Sequence, residues 1–273
     1  MRTKIRRALP AFFAIAVLAL ALWGCSNSPN EPSKARAPEL PPAESMRLDL
    51  SAFSPEDVGP APKSQFKFNF WNAQIRVAIL NVAVAMVVAP PAAAIGAATH
   101  SIPSLQPDGA WIWTYTYVNG EEEVVLRLRA IREDDAVFWQ MFVTALGEDP
   151  PIDRVLWFEG RTRGQDNGEW TLHDFTKPGD PAVLHIDWEV DADNDRFLTF
   201  EIVNPGQPEY GDRLMFSDVG TLASILLEDA SSGDEWDIRW DQSTGTGSLK
   251  VPDYNNGERA CWDEHQDDVA CPA

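Results

Sequence analysis

The stretch "WIWTYTYVNGEEEVVLRLRAI" (residues 111–131) decides the fold. Aromatic residues, Ile and Thr alternate over 111–118, Asn119-Gly120 follows, and a second alternating run leads to Ile131. Successive side chains of a strand point to opposite faces, so a period of two marks a sheet with unlike faces. Asn-Gly between two such runs is a strong hairpin signal, because a tight turn of this kind needs positive φ at its central residues.

The same alternation recurs in residues 136–146, 154–163, 168–175, 182–190, 196–203, 212–219, 221–228, 234–241 and 247–251. The links between them ("GEDPP", "GQDN", "KPGDP", "DADND", "NPGQPEYG", "SSGD", "QSTGTG") are short and built from turn residues. About eleven strands are therefore expected, each pairing antiparallel with its neighbour in sequence. In 182–190, Leu184, Ile186, Trp188 and Val190 point one way, and His185, Asp187 and Glu189 the other. An antiparallel sheet with one wet face fits that pattern. So many strands in one sheet curl. The expected class is α+β, mainly β: an antiparallel meander forming a barrel or half-barrel.

"FKFNFWNAQIRVAILNVAVAMVVAPP" (66–91) supplies something to wrap. Ala73, Val77, Leu80, Val84 and Val87 recur at helical spacing, and Ile75, Ile79, Val82, Met86 and Val88 fill the other faces. The helix is expected over about 69–89, ended by Pro90 and Pro91, which lack the amide the helix needs. A helix apolar all round is buried or in a membrane. Burial under the sheet is the expectation, with a lid or a membrane-lying helix as the alternatives. Tryptophan marks most strands (Trp111, Trp113, Trp139, Trp157, Trp170, Trp188, Trp236, Trp240). An aromatic stripe at strand spacing reads first as core, and second as a pocket for lipid or sugar.

The chain begins differently. Arg2, Lys4, Arg6 and Arg7 precede an uncharged apolar run over 11–22, which is too short to span a bilayer. Leu22-Trp23-Gly24-Cys25 follows and resembles the lipobox of bacterial lipoproteins, with Trp23 bulkier than the family's usual residue there. The resemblance covers about the first 28 residues. It implies diacylglycerol on the Cys25 sulfur, cleavage after Gly24 and acylation of the new amino end. Because Ser26 is not the aspartate that favours inner-membrane retention in the family, the implied address is the outer membrane, periplasmic or surface side. The organisation expected is a signal peptide over 1–24, a lipidated Pro-rich tether over 25–65, and one β-rich domain over 66–273. Within the tether, "MRLDLSAF" alternates loosely and is expected to dock as a short strand.

Loss of the signal's four basic residues takes the charge from −20 to −24, from 18 Lys and Arg against 42 Asp and Glu. Such a surface repels nucleic acid. Cys261 and Cys271 bound "CWDEHQDDVAC". In an exported protein a disulfide closing this loop is expected. The alternative, a metal site of both thiols with His265, lacks a Cys-x-x-Cys pair.

No nucleophile elbow, His-Glu-x-x-His or phosphate-cradling glycine loop occurs, so no catalytic residue, metal or cofactor is assigned. His173-Asp174 and His185-x-Asp187 read as surface pairs. "DADNDRF" starts like a calcium loop but has Arg196 where that loop needs glycine, and reads as a hairpin turn. Three functions remain in order of preference. The first is a lipid-anchored envelope protein, held to the membrane by its N-terminal lipid, with a structural or interaction role toward an envelope partner. The second is a binder of lipid or another apolar ligand, lined by Val77, Leu80, Val84, Val87 and the strand tryptophans. The third is a polysaccharide or peptidoglycan hydrolase using carboxylates such as Glu159, Asp187, Glu189 and Asp237.

Overall fold

Among the described residues, fourteen strands follow one another along the chain and pair in that same order, each antiparallel to the last. The computed structural model describes residues 36–53, 67–119, 122–147 and 151–272. Eleven strands match the sequence reading: β2 (Trp111–Asn119), β3 (Glu122–Glu133), β4 (Ala136–Ala145), β5 (Ile152–Arg163), β6 (Asn167–His173), β7 (Ala182–Val190), β8 (Arg196–Ile202), β9 (Arg213–Val219), β10 (Leu222–Glu228), β11 (Glu235–Asp241) and β12 (Gly247–Lys250). Three more are found: β1 (Ser104–Leu105), β13 (Ala260–Trp262) and β14 (Asp268–Val269). They span two or three residues each, too few to show a period.

The count is therefore fourteen rather than eleven, and the closed-barrel alternative is wrong: β1 and β14 stand at opposite ends of the order and do not pair. Both edge strands are two residues long. Short edges leave little unpaired backbone to recruit another chain. The opening hairpin also differs by one step. Asn119 pairs with Glu122, so the link is residues 120–121, outside the described residues, and Asn119 belongs to the strand.

Alternation sorts the two faces as expected. In β4 the buried residues are Ala136, Trp139, Met141, Val143 and Ala145. Cross-strand rows continue them: Trp139 pairs with Gly160, Gly160 with Trp170, Trp170 with Ile186 and Ile186 with Phe200. Six tryptophans, Trp113, Trp139, Trp170, Trp188, Trp240 and Trp262, are at most 4% exposed. They belong to the core, as expected, although Trp188 also lines one surface cleft and Trp240 and Trp262 another.

One helix, α1 (Phe68–Ala98), packs on this apolar face. It touches β2 and β3 near one end of the sheet and β12, β13 and β14 at the other. The sheet thus curls until strands near both ends reach the same helix, and α1 fills the gap that pairing leaves open. The helix runs nine residues beyond the expected end at Ala89, through Pro90 and Pro91. Proline removes the amide that would bond the carbonyl four residues back, here those of Met86 and Val87. Both residues lie where the helix is exposed (72% and 45%).

Two 3-10 turns, Ala43–Met46 and Ser51–Phe53, complete the core. They replace the short strand expected there. Met46, Leu50 and Phe53 are buried, and Trp170 Nε1 donates to Ser45 Oγ at 3.3 Å. The Phe53 ring lies 5.7 Å from Phe70 of the helix and 4.9 Å from Trp240 of the sheet. Aromatic pairs at these separations add to simple area burial. Of the stretch read as tether, residues 37–53 lie within the compact unit Ala37–Ala273. The expected signal peptide, Cys25 and the rest of residues 1–35, together with 54–66, lie outside the described residues.

Candidate functional site

The departure from expectation that bears on function is on α1. The helix is only half covered. Ala73, Val77, Leu80, Val88, Ala92, Ala94, Ile95 and Ala98 are buried, while Ile79 (59%), Val82 (59%), Met86 (72%) and Val87 are open to solvent. At about 100° per residue most of the buried set occupies one side of the helix, and Ile79, Val82 and Met86 an opposite arc centred near Met86, with Val87 and Ala94 at its margin. Ala83, Ala85, Ala89, Pro90, Ala93 and Ala97 share that arc and are exposed too. The outer arc carries no charged or polar side chain from Val77 to Ala97; Asn81, the polar residue in that stretch, falls on the sheet side. Val77, Leu80, Val84 and Val87 share one stripe of the helix, as expected, but Val77 and Leu80 are buried and Val87 is 45% exposed.

Polar contacts at both ends hold this face in place. At the N-terminus the Asp268 carboxylate of β14 accepts from the Phe68 and Asn69 amides at 3.3 and 2.9 Å. A carboxylate there satisfies orphan helix amides and meets the positive end of the helix dipole. Asn69 Nδ2 donates to the Cys261 carbonyl at 2.7 Å, and the Tyr254 hydroxyl donates to Asn69 Oδ1 at 2.7 Å. Burial first, then the Asp268 charge, raises the Tyr254 hydroxyl above its ordinary value. Lys67 Nζ donates to the His265 carbonyl at 2.7 Å. Arg76 pairs with Asp253 at 2.7 Å and lies 5.6 Å over the Trp236 ring. Asp268, His265 and Cys261 all belong to the loop closed by the Cys261–Cys271 disulfide. The bridge expected from sequence is present, and its loop is the cap of α1. Near the other end the Tyr115 hydroxyl of β2 donates to the Ala94 carbonyl. Burial pushes that phenol far up, so it stays protonated and remains a donor.

The opposite face of the sheet is polar and laddered. Arg129, Gln140, Glu159, Thr171, His185, Glu201, Arg213 and Glu228 pair in succession across β3 to β10. His173 differs from its expected place. Its side chain is 13% exposed, Nδ1 lies 2.8 Å from the Asp180 carbonyl, and Nε2 faces Glu159 at 3.9 Å. Asp174 turns instead to Thr176 and Lys177, which lower its pKa, Thr176 most. Cross-strand neighbours, invisible to sequence spacing, chose His173's partner. His185 does meet Asp187, at 3.4 Å, and its Nδ1 lies 3.2 Å from Thr171 Oγ1.

Glu169 joins His185 and Asp187, with ligand atoms within 4.8 Å of one another. Such a trio has the donors for a divalent cation. Here Glu169 is faced by Arg161 at 3.7 Å and Asp187 by His185. A shallow cleft of about 390 Å³ adjoins it, lined in part by Arg163, Glu189 and Phe197. Asp237, another carboxylate considered for hydrolysis, is held by Arg239 and Arg259. "DADND" is a hairpin turn, as read: Asp191 Oδ1 accepts from the Asp193 and Asp195 amides, both at 2.9 Å, and Asn194 has positive φ.

Compared with known proteins, the chain matches no family model, no curated protein and no solved structure.

Proposed function

We propose that this protein is a non-enzymatic, lipid-anchored component of the cell envelope, held on the outer membrane by acyl chains on Cys25, with its half-barrel as an interaction module. The observation that carries the interaction role is the outer arc of α1. A folded domain with a fully packed aromatic core leaves Ile79, Val82, Met86 and Val87 in the open. Contiguous exposed apolar surface of this kind marks contact with another apolar surface. The anchor is supported by Leu22-Trp23-Gly24-Cys25 after a basic and then apolar start, and by a disulfide of the kind that persists outside the cytosol.

The test is direct. Intact-mass measurement of protein purified from membranes should give a chain starting at Cys25 and carrying acyl mass. Cys25→Ser should remove that mass, and globomycin should make the precursor accumulate. A processed chain without acyl mass, or unchanged fractionation of Cys25→Ser with no precursor under globomycin, refutes the anchor.

A further inference from the structure

We propose that the outer arc of α1 lies flat on the lipid surface of the membrane that carries the protein. This rests on the reading that Cys25 is acylated.

The arc from Ile79 to Ala97 covers 18 residue steps, about 27 Å of helix. Its exposed residues are Ile, Val, Met, Ala and Pro. A specific protein partner is oriented by hydrogen bonds and charges at the rim of an apolar patch. This arc offers no side chain that could make one. A bilayer boundary needs none: it takes up the apolar side of a helix lying in its plane.

The anchor supplies proximity. Twelve residue steps separate Cys25 from Ala37, where the compact unit begins, a reach of at most about 40 Å fully extended. The unit therefore cannot leave the neighbourhood of the bilayer, and the one extended uncharged surface described on it has lipid within reach.

The helix passes by length and hydropathy as a candidate to cross a membrane, but its surroundings oppose that. Its inner side is fastened to β2, β3 and β12–β14. The carbonyls freed by Pro90 and Pro91 are tolerable at headgroup depth, where water reaches them, and costly in hydrocarbon. The helix lies on the membrane without entering its centre. A mature charge of −24 (18 minus 42) further selects the surface, because anionic headgroups repel it.

The test uses the full chain reconstituted in phosphatidylcholine vesicles. Met86→Cys carries an environment-sensitive fluorophore, and Asp193→Cys, in a polar turn, is the control. Cys261 and Cys271 are blocked by their bridge. The label at 86 should shift to the blue and be quenched by lipids brominated on the acyl chain, while the label at 193 should respond only to aqueous iodide. Replacing half the lipid with phosphatidylglycerol should weaken quenching at 86. The proposal is overturned if position 86 is quenched by iodide as readily as 193. It is equally overturned if 86 is shielded from both quenchers and crosslinks to 86 of a second chain, which would make a second copy the occupant. The anchor is read separately from intact mass. Acyl mass on Cys25 without lipid quenching at 86 would remove this inference and leave the anchor; no acyl mass on Cys25 would remove the anchor and, with it, the proximity on which this inference rests.

Discussion

Single residues carry much of the packing. Gly160 and Gly247 each face a tryptophan across the strand pair, Trp170 and Trp262. A Cβ on Gly247 would sit 2.2 Å from Trp262 Cζ2 and 2.5 Å from the Arg239 carbonyl. The ring lies on bare backbone, so the tryptophan decides that its partner is glycine. Gly247→Ala should therefore destabilise the fold by about 1–3 kcal/mol, the usual cost of overpacking, measured by urea unfolding. Turn residues give a pH prediction. Asp229 accepts from the Ser231 hydroxyl and the Ser232 amide, and Asp241 from Ser243 and Thr244. These bonds favour the ionised form and hold both carboxyls down to about 2 against an ordinary 3.8. A lowered folded-state value stabilises the fold above the unfolded value and stops doing so as pH falls through the folded one. Thermal stability should decline between about pH 4 and 2, and Asp229→Asn with Asp241→Asn should flatten that decline. An unchanged acid limb would show the two turns are not responsible. The turns were legible as "SSGD" and "QSTGTG", since Asp, Ser and Gly signal them locally; the glycine–tryptophan pairs were not, because register must be known first.

At the scale of elements, sequence spoke clearly where a pattern had room to repeat. Eleven strands of four or more residues showed their alternation, and β1, β13 and β14 could not. The helix was legible by composition but its end was not. The rule that proline stops a helix assumes the lost bonds go unserved, whereas Met86 and Val87, whose carbonyls lose a partner, lie where the helix is exposed. Pro90 is exposed and still costs the helix an amide, so Pro90→Ala should stabilise the protein by about 1 kcal/mol or more in urea unfolding. A loss of stability would mean the helix depends on proline at that position. The cap of α1 makes a second prediction. Asp268→Ala should cost about 1 kcal/mol by removing the acceptor for the Phe68 and Asn69 amides. Reducing the bridge should cost about 2–3 kcal/mol, a model-dependent figure, and should speed amide exchange first in the opening turn of α1. Exchange that quickens uniformly across the protein would separate the disulfide from the helix.

The whole molecule was the least legible scale. A helix apolar on every side must be covered, but its sequence does not say by what. Here the buried and exposed arcs draw on the same residue types: Val77 and Ile95 face in, Val82 and Ile79 face out. Only the path of the sheet, reaching α1 from both ends and stopping short of closure, divides one arc from the other. In the arrangement proposed above, the curled sheet is a cradle that fixes α1 with its outer side toward lipid. The native methionines test this without mutation. Met86 is 72% exposed, while Met46 and Met141 are fully buried. Membrane-bound protein treated with a membrane-impermeant oxidant and read by peptide mass spectrometry should leave Met86 nearly as unreacted as Met46 and Met141. Rapid sulfoxide formation at Met86 alone, on intact membranes, would contradict the account.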